Sequence, residues 1–477
     1  MTPTLIGLIL MVIGLFLLVR GSLAAMLSYT MLCGLLSGSS AINLPALGGS
    51  SIPPSQFALL FLFLRVILPG QRYLPLLLDG IKQNALLIIF VLYGIAASIA
   101  APRIFANTIN VAPMRFVDPK SLFDTVPLVP TSQNITTSVY MVGTMVIAVL
   151  GSVACRAPGG AVALVRTSVA IAWIHTITGV LGIFTRGTPA DVVFEFLRNA
   201  SYAQLDQSYQ GFIRINGVFA EASTYASFAL AWFYLNFELW WRGVMPRSTG
   251  PASFILAAVL LFSTSSTAYV GLASYAAFVG IRVLLMPVYA PLDRLAILFL
   301  SGIGMAALAS IAMLAMPGMF EAMVEMIRHM TIDKSDSLSG AQRLFWAMQG
   351  WDGFIHSHGL GLGPGSFRSS SLFMAILGST GVIGMTTFLL YLWRVLAPLR
   401  ASTWTRMQDP VVSIGAASAC AAIGVLVPAA ISSPSPNPGT NFALFAAAAL
   451  ALRPRHPFLK PARPLIPYGD HQAEVHA

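Results

Sequence analysis

Charged residues are scarce in this 477-residue chain: only 9% are Asp, Glu, Lys or Arg, whereas a soluble globular protein has about a quarter. Hydrophobic residues make up 56% of the chain, and the mean hydropathy is +0.78. This shortage of charge excludes an ordinary soluble protein. It predicts an all-α polytopic integral membrane protein.

Cysteine is also scarce, and the N-terminus lacks a positively charged leader. Cys33, Cys155 and Cys420 are far apart, and each lies in or beside an apolar run. Neither a disulfide framework nor a cysteine metal site is therefore predicted, and we interpret the three as buried small residues. Arg20 follows the first apolar run instead of preceding it, so we expect that run to be a retained span, not a signal peptide.

Long apolar runs are what the sequence has in abundance. A span needs about 20 residues, and the runs predict about thirteen transmembrane helices, within one of that number. The sequence support for a span is weakest in the segments at 22–42 and 251–266. The runs are 4–19, 22–42, 53–69, 83–101, 134–154, 161–183, 216–239, 251–266, 268–288, 294–316, 370–394, 410–431 and 439–453.

The distribution of basic residues predicts the orientation. With the N-terminus outside and the C-terminus inside, the inward loops hold 17 of the 27 basic residues but 6 of the 17 acidic ones. Excess Lys and Arg on cytoplasmic loops is typical of bacterial membrane proteins. The net charge of +10 is thus explained by topology, and we expect no nucleic-acid partner.

The chain is predicted to be a single membrane domain, 1–477, with outward, periplasmic loops at 102–133, 184–215 and 317–369 and a cytoplasmic tail at 454–477. These loops are longer than ordinary turns. The largest is amphipathic: "MFEAMVEMIRHM", residues 319–330, places methionine and phenylalanine at helical spacing. It predicts a helix that lies along the membrane surface.

The stretch "HSHGLGLGPGSF", residues 356–367, alternates glycine with other residues. It fits neither a Walker loop nor a dinucleotide fingerprint. Alternating glycines permit sharp turns and close approach, and successive N–H groups can bind an anion. The stretch ends at Arg368, so it predicts a donor-rich loop beside a cation. His356 and His358 have metal-ligand spacing, but no third ligand is near, and we expect no metal.

Three further blocks carry chemistry. "RINGVFAEASTYASFAL" places Arg214 before the span at 216–239 and Glu221 about two turns inside it. Ionisable groups at such depth are costly and usually functional, although an ion-paired structural glutamate is the alternative. "STSSTAYVGL" is a hydroxyl-rich outward turn, and "RLFWAMQGW" supplies Arg343.

Together these blocks resemble the bacterial O-antigen ligase and polysaccharide polymerase superfamily. The first is similar to the family's R-x-x-G-x-F-x-E-P-S segment, with Ala222 in place of proline. The second is similar to its hydroxyl-rich turn. "SGAQRLFWAMQGWDGFIHSHGLGLGPGSF" is similar to its arginine–tryptophan helix followed by G-x-G-x-G-x-F. The resemblance covers about residues 211–385, and the first 200 residues match only in hydropathy.

The resemblance implies a metal-independent inverting glycosyltransferase without cofactor, in the bacterial cytoplasmic membrane. It transfers a glycan from a polyprenyl-pyrophosphate carrier at the outer face. We favour a polymerase, whose acceptor is another carrier-linked repeat unit. A ligase that uses a lipid core is the alternative, and a lipid-linked oligosaccharide flippase is the rival of another class. The partners implied are the carrier-linked oligosaccharide, membrane lipid, a chain-length regulator and export machinery.

The same resemblance, with the chemistry of the residues, gives the candidate site. A sugar hydroxyl benefits from a general base, and Glu221 and His358 compete for that role. Arginine offers permanently charged bidentate donors for a pyrophosphate. The expected substrate-binding residues are Arg214, Arg343, Arg368, Gly361, Gly363 and Gly365.

Overall fold

The computed structural model describes residues 2–45, 50–68, 73–115, 121, 123–199, 208–209, 212–287, 290–315, 338–396 and 409–453, together with Glu325 and Arg328. The predicted surface helix at 319–330, apart from those two residues, and the predicted tail at 454–477 lie outside the described residues.

The described part of the chain forms sixteen α-helices. The helices are α1 Leu5–Arg20, α2 Leu23–Cys33, α3 Pro54–Ile67, α4 Leu74–Gln83, α5 Ala85–Ile104, α6 Ser132–Arg156, α7 Gly160–Phe184, α8 Asp191–Leu197, α9 Ala222–Trp241, α10 Pro246–Phe262, α11 Ser266–Leu285, α12 Leu292–Ala315, α13 Leu338–His356, α14 Leu372–Leu396, α15 Pro410–Ser432 and α16 Thr440–Ala451.

The all-α membrane architecture predicted from hydropathy is confirmed. A helix lies at every predicted apolar run, but the helices differ in length. Among the described residues, seven are long and apolar enough to cross a membrane: α5, α6, α7, α11, α12, α14 and α15. The run at 22–42 is shortened, because α2 ends at Cys33 and a 3-10 turn, Gly34–Leu36, follows. Thirteen spans therefore stays a prediction.

Short antiparallel strands join several connections at one end of the bundle. A three-stranded sheet has the order β1 (Thr2–Pro3), β2 (Ile42–Leu44), β3 (Ser50–Ile52). Two hairpins follow, β4 (Asn110–Val111) with β5 (Val126–Pro127) and β6 (Ser208–Tyr209) with β7 (Phe212–Ile213). We call this end, which is predicted to face outward, the site end. It comprises strands β1, β2 and β3 and the described residues within 105–131, 185–221, 263–265, 357–371 and 433–439.

Helix α9 is the central helix of the bundle. Nearly all of its residues are buried, and Tyr225, Trp232 and Tyr234 are among the largest fully buried side chains. A helix that is hydrophobic on every face belongs in a core, and α9 packs against α7, α10, α11 and α15. The indole of Trp232 also meets the ring of Phe445 in α16, with 5.2 Å between centroids. The residues just before α9 are therefore held near the middle of the site end.

A buried ionic cluster fastens the other end of α9. The sequence suggested that Glu238 belongs to an inward loop, but the structure places it in the last turn of α9 with 0% exposure. Its Oε1 accepts from Arg282 Nη1 and from the Tyr275 hydroxyl, both at 2.7 Å, and its Oε2 accepts from Arg242 Nε at 3.3 Å. A buried carboxylate needs such partners. The cluster ties α9 to α11.

Candidate functional site

Glu221 is the N-cap residue of α9, and the helix begins at Ala222. The expectation that Glu221 lies two turns inside the span is therefore wrong. The helix cannot extend backwards because Gly217 has a left-handed φ of +49° and the segment before Glu221 forms turns. The carboxylate oxygen Oε1 of Glu221 accepts from the Ser223 hydroxyl at 2.5 Å, and its backbone N–H donates to Thr224 Oγ1 at 3.3 Å. The positive end of the helix dipole also favours a carboxylate there.

The segment that carries Arg214 and Glu221 packs against α7. Its residues 215–220 are buried although they are not helical. The Tyr225 hydroxyl donates to the backbone oxygen of His175 at 3.1 Å, and the His175 ring stacks on the Tyr225 ring with centroids 3.9 Å apart. A Cβ on Gly179 would lie 2.1 Å from the Tyr225 hydroxyl oxygen. His175 and Gly179 were absent from the sequence candidates, although an isolated histidine in a span is a recognisable signal.

The glycine stretch is a buried re-entrant segment. Helix α13 packs beside α14. The chain between the two helices turns back and lies against residues of the first half of α14. The N–H of Leu362 donates to Gly378 O at 2.8 Å, and the N–H of Gly363 donates to Ser379 O at 2.9 Å. Residues 361–367 are all buried. The stretch is therefore an interior element, whereas its composition predicted a loop whose N–H groups are available to an anion.

The alternation of glycines has a geometric cause. Gly361, Gly363 and Gly365 have left-handed φ angles of +90°, +90° and +83°, which other residues rarely adopt. Each is also pressed against the backbone of a different helix, which leaves no room for a side chain. A Cβ would lie 2.5 Å from Ser379 in α14 for Gly361, 2.6 Å from Ala97 in α5 for Gly363, and 2.3 Å from Gln133 in α6 for Gly365.

Several backbone donors of the stretch are used within the protein. Besides the two bonds to α14, the N–H of Gly361 donates to the Ser357 hydroxyl at 2.8 Å. A direct contact of Gly361 or Gly363 with a substrate anion would require these bonds to open. Substrate binding by Gly361, Gly363 and Gly365 stays a prediction, and the role that the structure gives them is close packing.

Polar side chains from distant parts of the sequence hold the stretch in place. The Asn134 Nδ2 at the start of α6 donates to Pro364 O at 2.9 Å. The backbone of Ala112 bridges two other elements: its N–H donates to Gln349 Oε1 at 2.9 Å, and its oxygen accepts from the Arg368 N–H at 2.8 Å. Sequence reasoning missed Asn134 and Gln349, because neither stands in a motif that indicates chemistry.

Replacing Gly365 by alanine is expected to displace the stretch. The substitution forces a left-handed φ on alanine, which costs about 1–2 kcal/mol, and it places a Cβ 2.3 Å from Gln133 O. We expect a lower melting temperature of the purified protein. Gly302→Ala in α12 is the matched control, since no atom lies within 4 Å of its Cβ position. Equal melting temperatures for the two variants would contradict the packing role.

The predicted arginines gather around Glu221. Burial lowers the pKa of Arg214, Glu221 raises it, and the positive charge of Arg343 lowers it. Burial also lowers the pKa of Arg368, and Glu221 again raises it. Such shifts require charges close enough to act on one another. The structure thus brings Arg214, Glu221, Arg343 and Arg368 to one place from three separate parts of the sequence.

Arg368 is held over an aromatic ring. Its guanidinium carbon lies 4.3 Å from the centroid of the Trp346 indole. Within the described part of the chain, Nε of Arg368 and Nε of Arg214 are buried and have no hydrogen-bond partner, and neither residue forms an ion pair within 4 Å. Arg214, Arg343 and Arg368 thus carry three positive charges against the one negative charge of Glu221, with two in excess. A partly buried excess of this kind favours an anionic ligand, and arginine forks suit phosphate oxygens.

The two histidines of the stretch have contacts of their own. His356 Nε2 lies 2.8 Å from Thr108 Oγ1, and its ring meets that of Phe105 edge-on. His358 is exposed with φ at +51°, and its N–H donates to Ile355 O. Of the two candidate bases, Glu221 is the one that acts electrostatically on the arginines. Within the described ranges, no three His, Cys, Asp or Glu side chains are grouped to hold a metal ion.

The hydroxyl-rich turn also lies at the site end. Ser263, Thr264 and Ser265 connect α10 to α11 and are buried, and Thr264 has a left-handed φ of +50°. One turn into α11, Tyr269 lies within electrostatic range of Arg214. All three sequence blocks therefore contribute to one region of the molecule.

No model of a known protein family matches the chain, and neither a curated protein nor a solved structure is significantly similar to it.

Proposed function

We propose that this chain is a polysaccharide polymerase of the bacterial cytoplasmic membrane. It transfers a glycan from a polyprenyl-pyrophosphate carrier to a sugar hydroxyl of another carrier-linked repeat unit on the outer face. The observation that carries the proposal is the partly buried cluster of Arg214, Arg343 and Arg368 around Glu221 at one end of a membrane bundle. A lipid-linked pyrophosphate needs cations at such a place.

The residues fit an inverting transfer. The acceptor hydroxyl attacks the anomeric carbon from the face opposite the leaving group, and the bond between that carbon and the pyrophosphate oxygen breaks. Glu221 takes the hydroxyl proton as general base. The arginines stabilise the charge that develops on the departing pyrophosphate, which leaves with its lipid. This chemistry uses side chains of the chain alone, in line with an enzyme that works without metal or cofactor.

The location follows from the distribution of charge in the sequence. The bias of basic residues towards the other connections favours a site end that faces outward and a C-terminus in the cytoplasm. Substrate would then arrive as a carrier-linked unit already on the outer face. We expect the polymerase to act with a chain-length regulator and with export machinery.

The polymer profile of a deletion strain tests the proposal. We expect loss of long chains and accumulation of single carrier-linked repeats on the outer face, with restoration by the wild-type gene but not by Arg214→Ala. Polymer that is retained on the carrier and missing from a lipid core would instead indicate a ligase. Carrier-linked repeats that stay on the inner face would indicate a flippase. Either result contradicts the polymerase assignment.

A further inference from the structure

Arg294, in the first turn of α12, is held against the bundle at the end opposite the site end. Its neighbours Leu295 and Leu298 pack against the core. The guanidinium carbon of Arg294 lies 5.0 Å from the centroid of the Trp240 indole in the last turns of α9. Only 11% of the arginine side chain is exposed. The guanidinium is therefore fixed on an aromatic ring.

The hydrogen-bond donors of Arg294 point to an anionic partner outside the chain. Its Nε is buried, and no described residue accepts a hydrogen bond from it. The carboxylate of Asp293 lies 3.4 Å away but is 54% exposed, and an ion pair open to solvent contributes little. Contact with the face of Trp240 uses none of the five guanidinium N–H groups. A buried donor without an acceptor costs free energy, which an anion bound to Arg294 would recover.

A second arginine lies on the same side of Trp240's neighbour, helix α10. The Trp240 ring is pressed against Gly250, where a Cβ would lie 2.8 Å from the ring atom Cδ1. Arg247 precedes Gly250 by three residues and therefore shares that face of α10. Its side chain is exposed. Trp240 thus stands between the segment that carries Arg247 and the guanidinium of Arg294.

Positive charge is in excess in this region. The buried cluster on α9 joins one glutamate to two arginines, and the guanidinium of Arg282 lies 4.7 Å from the centroid of the Trp241 ring. The described residues within 238–250 and 278–296 carry four positive and two negative side chains: Arg242, Arg247, Arg282 and Arg294 against Glu238 and Asp293. The excess of two favours a ligand with negative charge.

Large apolar side chains border the same region. Leu284 and Leu285 in the last turn of α11 are 81% and 75% exposed, and Leu292 at the start of α12 is 79% exposed. None of the described side chains of α12 is buried. Cations beside an exposed apolar surface match a ligand that has both an anionic head and hydrocarbon chains.

We propose that the inner ends of α9, α10, α11 and α12 form a binding site for an anionic phospholipid of the cytoplasmic leaflet. The phosphate lies on Arg294 and Arg247, and the acyl chains lie along the exposed leucines. The bias of basic residues predicts that this end faces the cytoplasm, where anionic headgroups are available. The site is separate from the cluster around Glu221 and does not depend on the proposed transferase activity.

Lipid binding to the purified full-length protein tests the proposal. Native mass spectrometry measures the affinity for dioleoyl phosphatidylglycerol, which has a net negative charge, and for dioleoyl phosphatidylcholine, which has none. We expect the wild type to bind phosphatidylglycerol about tenfold tighter, since each basic residue at a membrane surface contributes about that order of preference. Arg294→Gln should lose most of this preference, and the double variant with Arg247→Gln should bring the ratio close to one.

Arg20→Gln is the matched control, because Arg20 is an exposed arginine at the predicted inner end of a different helix, α1. It removes the same charge and should keep the preference. Melting temperatures without added lipid show whether each variant is folded. Equal affinities of the wild type for the two lipids would overturn the proposal, as would an unchanged preference in the double variant or an equal loss in Arg20→Gln. Displacement of phosphatidylglycerol by inorganic phosphate at equal concentration would instead indicate a site for free phosphate and refute the lipid.

Discussion

Replacing Arg343 by lysine is expected to abolish most polymer formation while the protein still folds and inserts. Lysine keeps the positive charge but loses the planar fork that binds a phosphate through two hydrogen bonds. The expected loss is roughly 10²–10³ in rate, by analogy with the removal of one preorganised donor. The contact of residue 343 with Ser370 uses its backbone oxygen, so the substitution leaves it intact. The measurement is polymer length and amount in a complemented deletion strain.

A conservative change elsewhere on the same end of the bundle provides the control. Arg103 is an exposed arginine in the last turn of α5, and Arg103→Lys should leave polymer unchanged, because surface substitutions usually fall within about 0.5 kcal/mol. Membrane levels of both variants are compared by immunoblot. Wild-type polymer from Arg343→Lys at normal protein levels would refute the clamp and leave Arg214 as the principal pyrophosphate ligand.

Glu221→Gln is expected to have an effect of similar or larger size. The amide has nearly the same shape and can still accept from the Ser223 hydroxyl, but it cannot take a proton from the acceptor. Loss of a general base typically costs 10²–10⁴ in rate. Glutamine also loses the favourable interaction of a negative charge with the helix N-terminus, with a cost of about 0.3–1 kcal/mol, so the melting temperature must be measured beside polymer formation. A large fall in polymer with a small fall in melting temperature is the expected result.

Two further variants identify the base. Glu195→Gln changes an exposed glutamate of α8 at the same end of the bundle and should not affect polymer. His358→Gln should have little effect, because the side chain of His358 is exposed. Should the histidine variant lose polymer while Glu221→Gln retains it, the roles assigned to the two residues would be reversed.

The positions of the helices follow closely from the sequence, because each apolar run satisfies its backbone hydrogen bonds within itself. The error at Glu221 shows the limit of that reasoning. Hydropathy continues through residues 216–221, yet the left-handed Gly217 and the contact with α7 keep this segment out of the helix. Local composition reports burial but not the backbone conformation that a neighbouring helix imposes.

The charged residues of the candidate site could be predicted from the sequence. The residues that hold the site in place by packing and hydrogen bonds were harder to predict. Arg214 and Arg343 could be named from the motifs that hold them, Arg368 from its position at the start of a predicted span, and Glu221 from its charge within an apolar run. Asn134 could not, since its partner Pro364 is 230 residues away. The sequence predicted that the glycines bind an anion, whereas the structure shows that they let three helices pack closely against the stretch. Their spacing in the sequence does not reveal which helices these are.

The re-entrant glycine stretch also imposes an order on biosynthesis. Two of its neighbours, Ala97 in α5 and Gln133 in α6, enter the membrane early, whereas α14 is made after the stretch itself. The space between α5 and α6 must therefore remain vacant while the middle of the chain is translated and inserted. A ribosome that stalls before α14 is complete leaves Gly361 without its partner Ser379. The site is thus one of the last parts of the molecule to form.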